Sequence, residues 1–203
     1  MLPDGFVSLS QLCPTIVIGA NYATSDNFTG GVVSGYQRVE SVFSKVGAEK
    51  LCAIQAEANS LGYSLKIFDA YRPVKAVQHF QDWARIPTED ATIKERYYPT
   101  LTKAQLFEQG YIAQRSSHSR GSAVDLTLVD ARGNELDMGT IFDFFHETSH
   151  TMNSTITEEQ KRNRAILKSL MTKHGFKNFA QEWWHYSLVV EAFPGQYFDF
   201  NIE

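Results

Sequence analysis

Four side chains of this 203-residue chain have the types and spacing for hydrolytic chemistry. His118 and Asp125 lie seven residues apart within Ser116–Asp125, and Glu182 and His185 lie within Glu182-Trp183-Trp184-His185. Two imidazoles and a carboxylate are a common protein ligand set for a hydrolytic zinc ion, whose fourth position stays open for water. One carboxylate and two neutral imidazoles leave such a metal net positive, so water held there ionises near neutral pH. The expected ligands are His118, Asp125 and His185, holding one zinc ion per chain. Glu182, a carboxylate left over, is the candidate general base, taking a proton from water and passing it to a leaving amine. Trp183 and Trp184 beside it are expected to raise its pKa. Arg72, in Asp69-Ala70-Tyr71-Arg72-Pro73, is the candidate for stabilising the oxyanion formed when water adds to a peptide carbonyl.

Each of these residues also has an ordinary reading. A histidine in a serine-rich loop commonly just hydrogen-bonds there. An aspartate on the polar face of a strand commonly meets solvent or caps a turn. Glu-Trp-Trp-His suits an aromatic strand packed in a core, and an arginine before a proline suits a structural ion pair. Composition and spacing leave both sets of readings open.

The elements around these residues set the geometry they need. Val42, Val46, Leu51, Ile54, Ala58 and Leu61 recur at helical steps, predicting a helix over 41–61 stopped by Gly62. Tyr63 to Phe68 alternates and predicts a strand, with Leu65 and Ile67 on one face. Pro73 suits a helix first turn, so Arg72 is placed at a strand-to-helix junction. Residues 85–100 carry Pro87 and Pro99 and are expected to form a loop, followed by a short helix over 103–109. Ala123 to Leu128 alternates again, with Val124, Leu126 and Leu128 on a core face and Asp125 on the other. Gly121 permits the bend between the loop histidine and the strand aspartate. Glu135 to Met138 is a candidate partner strand. Thr157 and Gln160 form a capping box for a helix that runs to Gly175, and 184–190 is expected to be a buried strand. In a regular strand Glu182 and His185 face opposite sides. Either Glu182 precedes the strand or a bulge lies near Trp183 and Trp184. Thr15 to Ile18 is a candidate edge strand, and residues 21–31 form a long loop of the kind that is often functional.

The bulk numbers bound the class. The chain is 43% apolar and 21% charged, ordinary for one globular domain with a real core, and no linker or repeat divides 1–203. A net charge of −4 gives no footprint for nucleic acid. No apolar run approaches the ~20 residues of a membrane span. The first positive residue is Arg38, so the start does not read as a signal peptide. A cytoplasmic protein is expected, with a periplasmic form after loss of a signal as the alternative. Cys13 and Cys52 are expected to be separate thiols in a reducing compartment, a single bridge being the alternative. The sequence assigns no oligomeric state.

The motifs as a set resemble a known family. The stretch holding His118, Gly121, Ala123, Asp125 and Leu126 is similar to the S-x-H-x-x-G-x-A-x-D-L signature of zinc D-alanyl-D-alanine peptidases. Glu182-Trp183-Trp184-His185 resembles their E-x-W-H element, and Tyr71-Arg72-Pro73 their Y-R-P element. Tyr22-Ala23-Thr24, Asn27-Phe28-Thr29-Gly30, Phe142-Asp143-Phe144 and Tyr197-Phe198-Asp199-Phe200 extend the likeness to the VanX-type D-Ala-D-Ala dipeptidases over nearly the whole chain. The resemblance implies a small single-domain α+β fold with a central antiparallel sheet and flanking helices, like that shared with the hedgehog domain. It implies His118, Asp125 and His185 as zinc ligands, Glu182 as base and Arg72 on the tetrahedral intermediate. It further implies that Asp143 and Ser117 receive the substrate ammonium and that Tyr22 borders the pocket. The expected activity is hydrolysis of the dipeptide D-Ala-D-Ala, linked to peptidoglycan precursor turnover, glycopeptide resistance or recovery of D-alanine. The alternatives are a carboxypeptidase or endopeptidase working on peptidoglycan, which needs an open cleft, and a non-catalytic hedgehog-like zinc module, which needs neither Glu182 nor Arg72. His146 and His150 are expected in a loop bordering the cleft, and His79 and His174 in structural roles.

Overall fold

Residues 2–203 are described by a computed structural model. In chain order the first elements are β1 (Phe6–Ser8), α1 (Leu9–Leu12), β2 (Val17–Ile18), β3 (Val42–Ser44) and α2 (Lys45–Ser60). β1 and β3 pair antiparallel as a separate two-stranded sheet. The helix expected from residue 41 therefore begins at Lys45, because Val42–Ser44 are drawn into pairing with β1. The buried face of α2 carries Ala48, Leu51, Ile54 and Ala58, at the three- and four-residue steps of one helix face. β4 (Ser64–Asp69) follows, then α3 (Val74–Arg85) opening directly after Pro73.

α4 (Ala91–Tyr97) corrects the loop expected over 85–100. Asp90 caps it by accepting from Thr92 N and Ile93 N, and Pro87 and Pro99 bound the helix without entering it. α5 (Lys103–Glu108) ends before Gly110 as expected. Its buried Lys103 ammonium donates to the carbonyls of Trp83, Ile86 and Thr88. Those carbonyls belong to the open end of α3 and the chain just beyond it, so the lysine fastens the two helices. β5 (Ala123–Val129) is the central strand. The partner strand expected over 135–138 reduces to a single bridge, Val129 to Glu135. α6 (Glu158–Lys173) has the Thr157/Gln160 capping box. β6 (Phe176–Asn178) and β7 (His185–Leu188) close the sheet. β7 is shorter than expected, since Val189 and Val190 stand 66% and 75% exposed beyond it.

The main sheet has the order β2-β4-β5-β7-β6 and is antiparallel except for the edge pair β2–β4. One continuous core joins it to the helices. Leu65, Ile67, Val124, Leu126 and Leu128 are fully buried with residues of α2 and α6. The other side is covered too: Phe142 stacks on Phe68 at 4.6 Å and meets Trp184 edge-on at 5.6 Å. Every residue of β5 is buried, as expected of a central strand covered on both faces. The aromatic tail packs down, with Phe193, Phe198 and Phe200 around Phe6 at 4.8–5.3 Å. No helix among the described residues is long and apolar enough to cross a membrane.

The cysteines differ from expectation. Cys13 and Cys52 form a disulfide, with Cα atoms 5.7 Å apart, the usual bridging separation. Cys13 closes α1 and Cys52 lies in α2. Packing of these two helices brings together thiols that are 39 residues apart, a proximity that linear spacing does not display.

Candidate active site

Strand register supplies half of the site. β5 and β7 pair so that Asp125 stands directly opposite His185. Directly opposed cross-strand residues share a face with Cβ atoms about 4.5–5.5 Å apart, and here His185 Nδ1 comes within 2.9 Å of Asp125 Oδ1. His118 arrives from the 3-10 turn Ser117–Arg120, whose start is capped by Ser116 Oγ accepting from His118 N. Gly121 then turns the chain into β5 at φ +60°, and an added Cβ there would sit 2.6 Å from the Phe6 ring. The bend thus needs glycine for its backbone angle and for space.

His118 Nδ1 donates to Ala70 O at 2.7 Å, which fixes the tautomer and leaves Nε2 as a lone pair. That nitrogen lies 3.2 Å from His185 Nδ1 and 3.3 Å from Asp125 Oδ2. One ligand atom from each of His118, Asp125 and His185 falls within 4.8 Å of the others. Two imidazoles and a carboxylate aimed at one buried point fit a zinc-type cation. The carbonyl behind His118 and Ser187 Oγ, 3.2 Å from His185 Nε2, are the outer contacts that orient such ligands. Burial opposes ionisation of Asp125, but its interactions with the neighbouring His118 and His185 prevail and hold its carboxyl well below the usual carboxylate range.

Glu182 precedes β7 on a turn, which resolves the facing problem of Glu182 and His185 without a bulge in β7. Its N–H donates to Phe179 O, its carbonyl accepts from His185 N, and Asn178 Nδ2 donates to the carbonyls of both Glu182 and His185. Trp183 anchors the turn from behind by donating Nε1–H to Thr140 Oγ1 at 2.8 Å. Glu182 is 6% exposed, and its Oε2 is 3.9 Å from His185 Nδ1. Burial raises its pKa well above normal, and the negative charges of Asp125 and Asp143 add to the rise.

Arg72 projects from the β4–α3 junction. Its Nε donates to Asp69 Oδ2 at 2.8 Å and its Nη2 to Asp125 Oδ2 at 3.2 Å. The guanidinium lies over the rings of Tyr22 and Phe80, 5.1 and 5.3 Å from their centroids. The register of β4 against β5 slips between Ile67 and Asp69, so that Asp69 pairs with Asp125. Without that slip strict alternation would turn Asp69 to the Ile67 face. Tyr36 OH donates to its other oxygen at 2.7 Å.

Asp143 stands on the loop after β5, 4% exposed and at φ +59°, a left-handed conformation uncommon for a residue with a Cβ. Tyr22 OH donates to its Oδ2 at 2.8 Å. Burial pushes the Asp143 carboxyl well up, and Asp125 adds to this. The loop is clamped by buried Arg164, which donates to Met138 O, His150 O and Thr148 O at 2.7–2.8 Å. Ser117 is half-buried with its hydroxyl 3.5 Å from Ser187 Oγ.

All eight singled-out residues, namely Tyr22, Arg72, Ser117, His118, Asp125, Asp143, Glu182 and His185, line one cavity of about 270 Å³. Sequence reasoning passed over Asp69, Tyr36, Ser187 and Arg115. Asp69 opens the motif that contains Arg72, and its position at a strand end was the available signal. Tyr36 carried none. His150 reaches the cavity only through Tyr111, whose hydroxyl is 3.1 Å from its Nε2. His79 bonds Ser34 and His174 bonds Glu57, away from the site.

Residues 3–203 match the D-ala-D-ala dipeptidase family. The chain belongs to that family. It is 42% identical to a D-alanyl-D-alanine dipeptidase of Enterococcus faecalis over 202 residues, covering 99% of this chain and 100% of the relative. It is 41% identical to one from Streptomyces coelicolor, covering 97% and 98%. An Escherichia coli D-alanyl-D-alanine dipeptidase is 34% identical, over 92% of this chain and 86% of its own. As a member of a peptidase family the protein is a hydrolase, and its α+β fold agrees with the one the motifs implied.

Proposed function

We propose that the protein hydrolyses free D-Ala-D-Ala to two D-alanines, with zinc held by His118, Asp125 and His185. The relatives' names support the substrate. The observation that carries the reading is the buried Asp143 carboxylate in the same small cavity as the converging ligands. A volume of about 270 Å³ lies just under the ~300–1,000 Å³ of drug-sized ligand sites, which suits a dipeptide and not a polymer. A carboxylate held dry beside one tyrosine hydroxyl is a partner for an ammonium group, and a dipeptide presents its ammonium close to its only peptide bond.

Zinc, when bound, supplies a Lewis acid and a water acidified toward neutrality. Glu182, with its raised pKa, takes a proton from the attacking water and delivers it to the departing amine. Asp69 and Asp125 hold Arg72 by Nε and Nη2, and its Nη1 edge is left to donate to the oxyanion. Tyr22 orients Asp143 toward the ammonium, and Ser117 forms part of the wall. Glu182 and Arg72 in one cavity with the ligands argue for an enzyme over a binding module.

The cell gains either a depleted pool of precursor dipeptide or recovered D-alanine.

The test is D-alanine release from D-Ala-D-Ala beside N-acetyl-D-Ala-D-Ala and a pentapeptide precursor. Cleavage of the free dipeptide alone is expected. Equal cleavage of all three would move the protein to cell-wall trimming and remove Asp143 as ammonium site.

A further inference from the structure

A dipeptide has two charged ends, and the reading above assigns a partner to only one. We infer that Arg115 receives the α-carboxylate of the dipeptide; this rests on the proposed dipeptidase activity. The cavity lining contains two guanidinium groups, Arg72 and Arg115, and no lysine. Arg72 is already engaged by Asp69 and Asp125 and lies over two aromatic rings. A substrate carboxylate bound there would compete with both aspartates and occupy the group that the oxyanion needs.

Arg115 is free of such ties. It lies three residues before His118 and is exposed at the cavity. It has no hydrogen bond or ion pair to another side chain among the described residues, and its guanidinium lies over the Tyr197 ring, 5.1 Å from the centroid. That ring is itself fixed, because Tyr197 OH accepts from Arg120 Nη1 at 2.9 Å. Arg120 in turn is neutralised by a two-point pair with Glu191 at 2.6 and 2.7 Å. The net positive charge in this corner therefore belongs to Arg115. A planar fork resting on a fixed aromatic face keeps its N–H edges available for a carboxylate, which it meets with two parallel hydrogen bonds. The cavity is otherwise acidic, with Asp125, Asp143 and Glu182 in its wall. Asp69 and Asp125 offset the charge of Arg72, so Arg115 is the cation of the lining left uncompensated for the α-carboxylate of a dipeptide. Arg115 and Asp143 would together measure the distance between the two ends, so that a dipeptide fits and longer chains do not.

The experiment compares D-Ala-D-Ala with its C-terminal amide, D-Ala-D-Ala-NH2, in the zinc-loaded wild type and in Arg115→Ala and Arg115→Lys. In the wild type the dipeptide is preferred over the amide. Arg115→Ala is expected to lower that kcat/KM preference about ten- to a hundredfold, mostly through KM, with partial recovery in Arg115→Lys. A variant that loses activity on both substrates in proportion, or keeps the wild-type preference, would overturn the inference. Hydrolysis of neither substrate by the wild type would instead sink the dipeptidase reading on which it rests.

Discussion

The two ends of the cavity are built differently. The end where His118, Asp125 and His185 converge is made of paired strands and one tight turn: Asp125 and His185 are cross-strand neighbours, and His118 is fixed by Gly121 and the Ala70 carbonyl. The end around Asp143 is made of a short 3-10 turn carrying Tyr22 and a loop carrying Asp143, which meet over a long separation. Tyr22 reaches Asp143 across 121 residues, and Asp143, with its left-handed backbone, lies in a segment that Arg164 ties down at Met138, Thr148 and His150. Strand register is hard to shift without turning every side chain to the wrong face. Loops tolerate substitution and carry specificity. Damage to the first end should therefore stop the chemistry, whereas damage to the second should change which substrates are accepted.

The sharpest separation is expected from Glu182→Ala. Turnover of D-Ala-D-Ala should fall about 10²–10⁴-fold while metal content, read by elemental analysis, stays at one per chain. Loss of the metal in this variant would make Glu182 a ligand and merge base and metal site into one unit.

Asp143→Asn tests the other end. It should reduce kcat/KM for the free dipeptide by about 10–150-fold, the range set by losing one charged hydrogen bond, and narrow the gap to the acetylated dipeptide. If both substrates fell together, Asp143 would be shaping the cavity and not reading the ammonium.

Asp69→Asn sits between the ends. It removes the charge on which Arg72 Nε rests, and kcat should drop about tenfold with KM little changed. A change confined to KM would place Arg72 in ground-state binding.

The pH profile adds a sign. Burial raises Glu182, and a base works only when ionised. Activity should therefore be full at high pH and fall as pH drops through a pKa above the ordinary glutamate value of about 4.3. An acid limb at or below that value would remove burial as the tuning device.

The same contrast governs how much was legible in the sequence. The convergence of His118, Asp125 and His185 could be read because they lie in two short runs whose alternation and glycine mark a turn entering a strand. Arg72 could be read because Pro73 marks the strand-to-helix junction. Asp69 was hidden because alternation places it with Ile67, and only the register slip in β4 turns it inward. Tyr36, Arg115 and the Cys13–Cys52 bridge were hidden because each depends on contacts between segments with no shared period. Short elements were misjudged where pairing competed with helical spacing, as in Val42–Ser44, or where prolines bound a helix instead of excluding one, as in 91–97. Motif resemblance carried Tyr22 and Asp143, which periodicity alone could not place.

Whether His118, Asp125 and His185 drive the reaction through a metal is read from the metal dependence of D-Ala-D-Ala cleavage in the wild type and in His185→Ala. Chelation should abolish D-alanine release by the wild type. Zinc should restore it at one equivalent per chain, and His185→Ala should neither bind that equivalent nor recover. Full release by the chelated, metal-free protein, or by His185→Ala, would contradict the account, because the converging His118, Asp125 and His185 would then not be what drives the chemistry.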